Sequence, residues 1–167
     1  MFKKLILLLL VIAPISIFAQ DKIAYLNANE IFAKMPELKE VETKLAAKSE
    51  TIKKNAAAIE AEYNALLEKF KGTKTEDLTE SIVLDRQTQL ENLQKRYQDF
   101  LQTSQAEYEK EQQALIAPLQ QKMRQAIKEV GDENNYTYIL DAATLLHVGS
   151  HALDISKQVK TKLKITD

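Results

Sequence analysis

Between Pro36 and Gly131 the chain runs for about 95 residues with one glycine, Gly72, and one proline, Pro118. The intervening sequence is rich in Ala, Glu, Lys, Gln and Leu, which all favour helix. An average globular helix has about 11–12 residues, so this stretch predicts two unusually long helices that reverse direction near Gly72. Most of the protein is therefore predicted to be an elongated helical hairpin.

The first nineteen residues have the pattern of a secretory signal. Lys3 and Lys4 precede an apolar stretch over residues 5–13, and residues 16–19 form a plausible cleavage end. The alternative is an uncleaved membrane anchor, but Pro14 interrupts the stretch, which is shorter than the ~20 residues of a spanning helix. We expect residues 1–19 to be removed and the mature chain to begin at Gln20.

The net charge bears on which partners the chain can bind, and the cysteine content bears on how its core is stabilised. The chain has 23 Lys and Arg and 24 Asp and Glu residues, and loss of Lys3 and Lys4 leaves 21 against 24, a formal charge of −3. A mildly acidic chain is a poor binder of nucleic acid, so no nucleic-acid partner is predicted. The chain has no cysteine, so disulfides do not support its core.

The hairpin has one regular apolar seam and one irregular seam. In the outgoing helix an apolar residue recurs every seven positions, at Leu38, Leu45, Ile52, Ile59 and Leu66. The companion positions four residues later begin with Glu42, Ser49 and Ala56, whereas a tight coiled coil fills both seams with apolar side chains. The pattern predicts two loosely held helices and a bendable arm.

The tip of the arm is predicted at residues 71–77. Gly72 can take the left-handed conformation that ends a helix, and Thr75 can cap the next helix. The tip residues that could either staple the hairpin end or contact a client are Phe70, Leu78, Ile82, Lys69, Lys71 and Lys74. For the three lysines, a solvated turn is the preferred interpretation over a membrane contact.

In the returning helix, Pro118 predicts a kink, because it removes one backbone hydrogen bond.

A small β-containing base is predicted where the hairpin begins. Residues 22–26 are β-prone, and Asn27 can cap the short helix that follows, with Glu30 three residues later. Pro36 suits the first turn of the next helix.

The other half of this base is predicted after the hairpin. Gly131 should end the long helix, residues 136–141 should form a second strand and residues 145–148 a third. Asp154 should cap a final amphipathic helix.

These elements predict a mainly α chain with a small β base into which a long antiparallel, coiled-coil-like hairpin is inserted. The base comprises residues 20–36 and 119–167, and the arm comprises residues 37–118. Short strands with open edges bury little apolar surface and can pair with another chain, so we expect the base to assemble with further copies in a closed ring that removes these edges. The candidate assembly residues are Ile23, Tyr25, Tyr138, Leu140, Leu146 and Val148.

The sequence offers no pattern of catalytic chemistry. His147 and His151 straddle a predicted turn at Gly149, which does not suit a shared metal ion. Asp141 and Asp154 lie where turn chemistry explains them. We predict a non-enzyme without metal or cofactor.

The chain resembles the Skp (OmpH-like) family of periplasmic chaperones for outer-membrane proteins. The resemblance rests on Asp21–Asn27 followed by Ile31–Phe32, on the long hairpin, and on Tyr138–Ala142 followed by Asp154–Ser156. It implies a periplasmic homotrimer with a β-barrel base and three arms around a cavity for an unfolded outer-membrane protein, without nucleotide. Well-known members are strongly basic, whereas the arms here are slightly acidic, so membrane or lipopolysaccharide binding is not expected to carry over.

Two functions follow from these observations. The first is an ATP-independent holdase that binds unfolded outer-membrane proteins and prevents their aggregation. The alternative is a structural coiled-coil spacer or scaffold of the cell envelope. A spacer requires well-filled seams, and Glu42 and Ser49 in the second seam argue against it.

Overall fold

The computed structural model describes residues 21–72 and 79–166. The predicted signal at residues 1–19 lies outside them. Strand β1, Ile23–Leu26, leads into helix α1, Ala28–Ala33. Asn27 caps α1 as predicted, because its Oδ1 accepts a hydrogen bond of 3.0 Å from the Glu30 backbone N–H.

The arm consists of helices α2, Pro36–Lys71, and α3, Glu80–Asn134. Pro36 occupies the first turn of α2, as predicted. At ~1.5 Å per residue, the 36 residues of α2 extend about 54 Å. α3 has 55 residues and contains Pro118 within it, so the chain stays helical on both sides of the proline, and the kink remains a prediction. Within residues 21–72 and 79–166, no helix has both the length and the apolar character needed to cross a membrane.

The tip differs from the predicted one at Gly72. This residue has φ −71°, a right-handed conformation, so the left-handed helix end predicted there is wrong. Its backbone N–H still bonds the Glu68 carbonyl, at 3.2 Å, as in a continuing helix. Thr79 caps α3 by accepting from the Ile82 N–H at 3.4 Å. Thr75, the predicted cap, lies outside the described residues.

The base contains strands β2, Tyr138–Asp141, and β3, Leu153–Asp154, and helix α4, Ser156–Lys162. The sheet order is β2-β1-β3, with both neighbours parallel to β1.

The predicted third strand at residues 145–148 is wrong. β3 instead occupies the free edge of β1, where the Ile155 N–H donates to the Tyr25 carbonyl at 2.9 Å. The predicted cap of α4 is shifted by one residue, because Ile155 is its N-cap, and Asp154 Oδ1 accepts from the Ser156 N–H at 2.8 Å.

The end of α3 also differs from the prediction. The helix passes through Gly131 to Asn134, and its C-cap, Asn135, has a left-handed φ of 54°. Asn is one of the few residues besides Gly that adopt this conformation readily. Gly131 is buried in the helix, and a Cβ there would lie 3.1 Å from Ile139 Cδ1. The glycine therefore permits close packing of α3 on β2 rather than ending the helix.

The hydrophobic core lies at the base, where the sheet, α1, α4 and the end of α3 meet. Leu26, Ile31, Ile155 and Val159 are 0–2 % exposed. In α2 the buried residues are Val41 and Leu45, both near the base, whereas Ile52, Ile59 and Leu66 of the same heptad series are half-buried. The buried residues of α2 are therefore confined to the part of the arm near the base, while α3 buries Leu93 and Ser104 farther along.

Candidate functional site

One face of the sheet is covered by the core and the other is apolar and exposed. In β1, Ala24 and Leu26 are buried, while Ile23 is 51 % exposed and Tyr25 is half-buried. Successive strand residues point to opposite faces, so Ile23 and Tyr25 project away from the core.

The register of β2 extends this exposed face. Tyr138 pairs with Ile23 and Leu140 pairs with Tyr25, so all four side chains share one face. Tyr138 is 56 % exposed and Leu140 is 38 % exposed. We call Ile23, Tyr25, Tyr138 and Leu140 the outer sheet face.

The other two candidate assembly residues lie in irregular chain between β2 and β3. Leu146 is fully exposed and Val148 is half-buried. The segment starts after a 3₁₀ turn, Ala142–Thr144, that Asp141 begins by accepting from the Ala143 N–H at 3.1 Å. The turn role predicted for Asp141 is therefore confirmed.

The arm tip brings Phe70 together with Arg86, which no sequence pattern marks as a tip residue. Arg86 Nη1 donates to the Phe70 carbonyl at 3.2 Å, and its guanidinium lies 4.9 Å from the centre of the Phe70 ring. Lys71 pairs with Glu68 at 2.8 Å. Lys74 and Leu78 lie outside the described residues.

The first turns of α3 carry more exposed apolar surface than predicted. Ile82, Val83 and Leu84 are 39 %, 48 % and 64 % exposed. Consecutive helical residues lie about 100° apart, so these three side chains point in different directions around the helix. The run of three consecutive apolar residues, Ile82, Val83 and Leu84, is the sequence pattern from which the exposed Val83 and Leu84 could have been predicted.

Three groups of ion pairs join α2 to α3 along the arm. Near the base, Lys122 donates to Glu37. Farther along, Lys48 Nζ lies 3.4 Å from Glu107 Oε2 and 3.5 Å from Glu111 Oε2. Nearer the tip, Arg96 pairs with Glu62. The hydrogen bond with Glu107 raises the pKa of the Lys48 ammonium. These pairs depend on the register between the two helices, and the sequence pattern alone did not predict that register.

The ion pairs farther along the arm lie on one side of it. Lys48 and Glu62 are fourteen residues apart on α2, and Arg96 and Glu107 are eleven apart on α3, spacings that return to the same helix face. A groove on this side is lined by Glu62, Ala65, Leu66, Lys69, Gln89, Asn92 and Leu93. We call this the ion-pair side.

The opposite side of the arm carries two grooves, with volumes of about 250 and 720 Å³. Tyrosines line both of them. The groove nearer the tip is lined by Ile59, Glu60, Tyr63, Leu93, Gln94 and Tyr97. The groove nearer the base is lined by Ser49, Ile52, Lys53, Leu101, Gln102, Gln105 and Tyr108. We call this the tyrosine side.

The two histidines of the base lie outside its helices and strands. His147 and His151 lie on either side of Gly149, in irregular chain and turn. Within residues 21–72 and 79–166, no group of three or more His, Cys, Asp or Glu residues is placed to hold a metal ion.

Comparison with known proteins relates this architecture to one family. The family model described as outer membrane protein (OmpH-like) matches residues 22–163, which include most of the base and the whole arm. A crystal structure of an OmpH-like protein from Caulobacter crescentus CB15, described as a candidate outer membrane chaperone, has the same fold with a TM-score of 0.74. It is 14 % identical, and the match covers 87 % of this chain and 85 % of that one. No curated protein matches the chain by sequence. The match over both base and arm shows that the chain belongs to the OmpH-like family of outer membrane proteins.

Proposed function

We propose that this protein is an ATP-independent holdase chaperone of the periplasm, which binds unfolded outer-membrane β-barrel proteins and prevents their aggregation. The observation that carries the proposal is the OmpH-like match over residues 22–163. The fold shared with the Caulobacter protein, itself described as a candidate outer membrane chaperone, supports it.

The shape of the chain suits this role. The arm projects tens of ångströms from the base, and its helices are joined by half-buried side chains and exposed ion pairs. Such a wall can adapt to clients of different sequence, because many weak contacts replace one specific fit. A holdase needs no energy source, since binding the unfolded chain alone lowers the concentration of free, aggregating molecules.

Assembly of the base completes the proposal. Residues 20–36 and 119–167 would form the oligomerisation base, and residues 37–118 the arm. The outer sheet face exposes apolar side chains that a neighbouring copy could cover, together with Leu146 and Val148. Three copies joined at this face would form a barrel and leave three arms around a shared cavity.

The test uses an unfolded outer-membrane β-barrel protein diluted from urea. Light scattering should stay low when the mature chain is present at a molar ratio near one trimer per client. Unchanged aggregation at every ratio would reject the holdase and favour the envelope spacer. Native mass measurement should give a trimer, and sequencing of protein from the periplasm should begin at Gln20.

A further inference from the structure

We infer that the tyrosine side of the arm is the client-binding surface and that its occupant is an extended, uncharged segment of strand length from the unfolded protein. The inference rests on the proposed function and adds which side of the arm faces the client. The two sides of the arm differ in charge and in the side chains that line them.

The tyrosine side continues along one face of each helix. On α3, Gln94, Leu101, Gln105 and Tyr108 are separated by seven, four and three residues, so they align on one face. On α2, Ser49, Lys53, Glu60 and Tyr63 repeat this pattern with separations of four, seven and three. The two grooves therefore follow one another along the same side of the arm.

Charge distinguishes this side from the other. Of the thirteen side chains that line its two grooves, Lys53 and Glu60 are the charged ones. The cross-helix pairs of Lys48 and Arg96 lie on the ion-pair side. An uncharged segment is complementary to the tyrosine side, whereas on the ion-pair side it would cover charges and remove them from water.

The side chains present also match an extended peptide. Tyr63, Tyr97 and Tyr108 each offer an apolar ring with a hydroxyl, and Leu101 is 40 % exposed. The glutamines can bond the backbone N–H and C=O groups that an unfolded chain leaves unpaired. The occupant is thus recognised by apolar side chains and peptide groups rather than by charge.

The length of the surface agrees with a strand. Leu93 to Tyr108 spans about 22 Å at ~1.5 Å per helical residue. An extended chain rises ~3.3 Å per residue, so the grooves hold roughly seven residues. A membrane-spanning β-strand has about 9–11 residues, so one arm would cover most of one strand.

The experiment is cysteine scanning with a photo-reactive cross-linker, and the natural sequence has no cysteine. Gln94→Cys, Gln102→Cys and Gln105→Cys place the probe on the tyrosine side. Gln89→Cys and Asn92→Cys are matched controls, because they are exposed amides on the same helix but line the ion-pair groove. The client is a urea-unfolded outer-membrane β-barrel protein. We expect several-fold higher cross-linking to the client from the tyrosine-side positions.

The outcomes separate this inference from the proposed function. Equal yields from both sides, or higher yields from Gln89→Cys and Asn92→Cys, would overturn the inference even if the unmodified chain suppresses aggregation. Cross-links from Gln102→Cys to a second copy of this chain, undiminished by client, would also overturn it. If the tyrosine side cross-links selectively but aggregation is not suppressed, the binding surface stands and the holdase function fails.

Discussion

Tyr138→Ser should weaken assembly strongly while leaving the protomer folded, because Tyr138 lies on the outer sheet face and its neighbour Ile139 packs towards the core. A tyrosine buries roughly 150–250 Å² when it is fully covered. Tyr138 is 56 % exposed in the single chain, so a partner could cover about 110 Å² of it. At ~25 cal/mol per Å², this corresponds to about 2.8 kcal/mol for each copy.

In a trimer the loss occurs three times, up to about 8 kcal/mol, or roughly six powers of ten in the association constant. The concentration of half-assembly depends on the square root of that constant, so it should rise by up to about 1,000-fold. If partners cover half of the exposed area, the rise is still about 30-fold.

Sedimentation equilibrium from nanomolar to micromolar concentration measures this midpoint, with circular dichroism to verify folding. Tyr97→Ser is the matched control, because it makes the same chemical change on the arm and should leave the midpoint in place. A Tyr138→Ser chain that assembles at the unmodified concentration would refute the assignment of the outer sheet face.

Substitutions at three further positions test the fold. Ile155→Ala, at a side chain that is 0 % exposed, should lower the free energy of unfolding in urea by about 2–5 kcal/mol; a loss well below 1 kcal/mol would contradict the core described here. Asn135→Ala should cost about 1–2 kcal/mol, whereas Asn135→Gly should cost little, because φ 54° is strained for alanine; equal stability of the two variants would contradict the left-handed helix end. The hydrogen bond from Lys122 lowers the pKa of Glu37 below 4.5. A carboxylate with a lowered folded pKa stabilises the protein above its unfolded pKa and loses this effect as the pH falls through the folded value. Glu37→Gln should therefore reduce stability slightly at pH 7, by less than about 1 kcal/mol for a partly exposed pair, and the difference should shrink below pH 4.5. Urea titrations at pH 7 and pH 3.5 measure this, and a difference that grows in acid would contradict it.

The features predictable from the sequence are those set by neighbouring residues. The hairpin follows from the scarcity of glycine and proline, and the start of α1 follows from Asn27 and its bond to the Glu30 N–H. The exposed face of β1 and β2 follows from alternation, because Ile23 and Tyr25 point away from the core, as do Tyr138 and Leu140. Each of these inferences needs only the chain a few residues on either side.

The features that could not be predicted depend on contacts between distant residues. β3 forms at Leu153–Asp154, where it pairs with the edge of β1, although β propensity favours residues 145–148, which include Val148, over a strand that contains an aspartate. Gly131 lies inside α3 because Ile139 packs against it from the next strand. The two sides of the arm require the register that places Lys48 beside Glu107, 59 residues later.

The same structure explains why the base and the arm should respond differently to stress. The base buries Leu26, Ile31, Ile155 and Val159 almost completely, so its opening exposes a continuous core. Beyond Leu45, α3 buries Leu93 and Ser104, and the rest of the contact between the helices consists of half-buried side chains and exposed ion pairs. Each exposed ion pair contributes less than about 1 kcal/mol. Separation of α2 from α3 near the tip therefore costs less free energy than unfolding of the base. We therefore expect the arm to open near its tip under conditions in which the base, and any assembly built on the outer sheet face, stays intact.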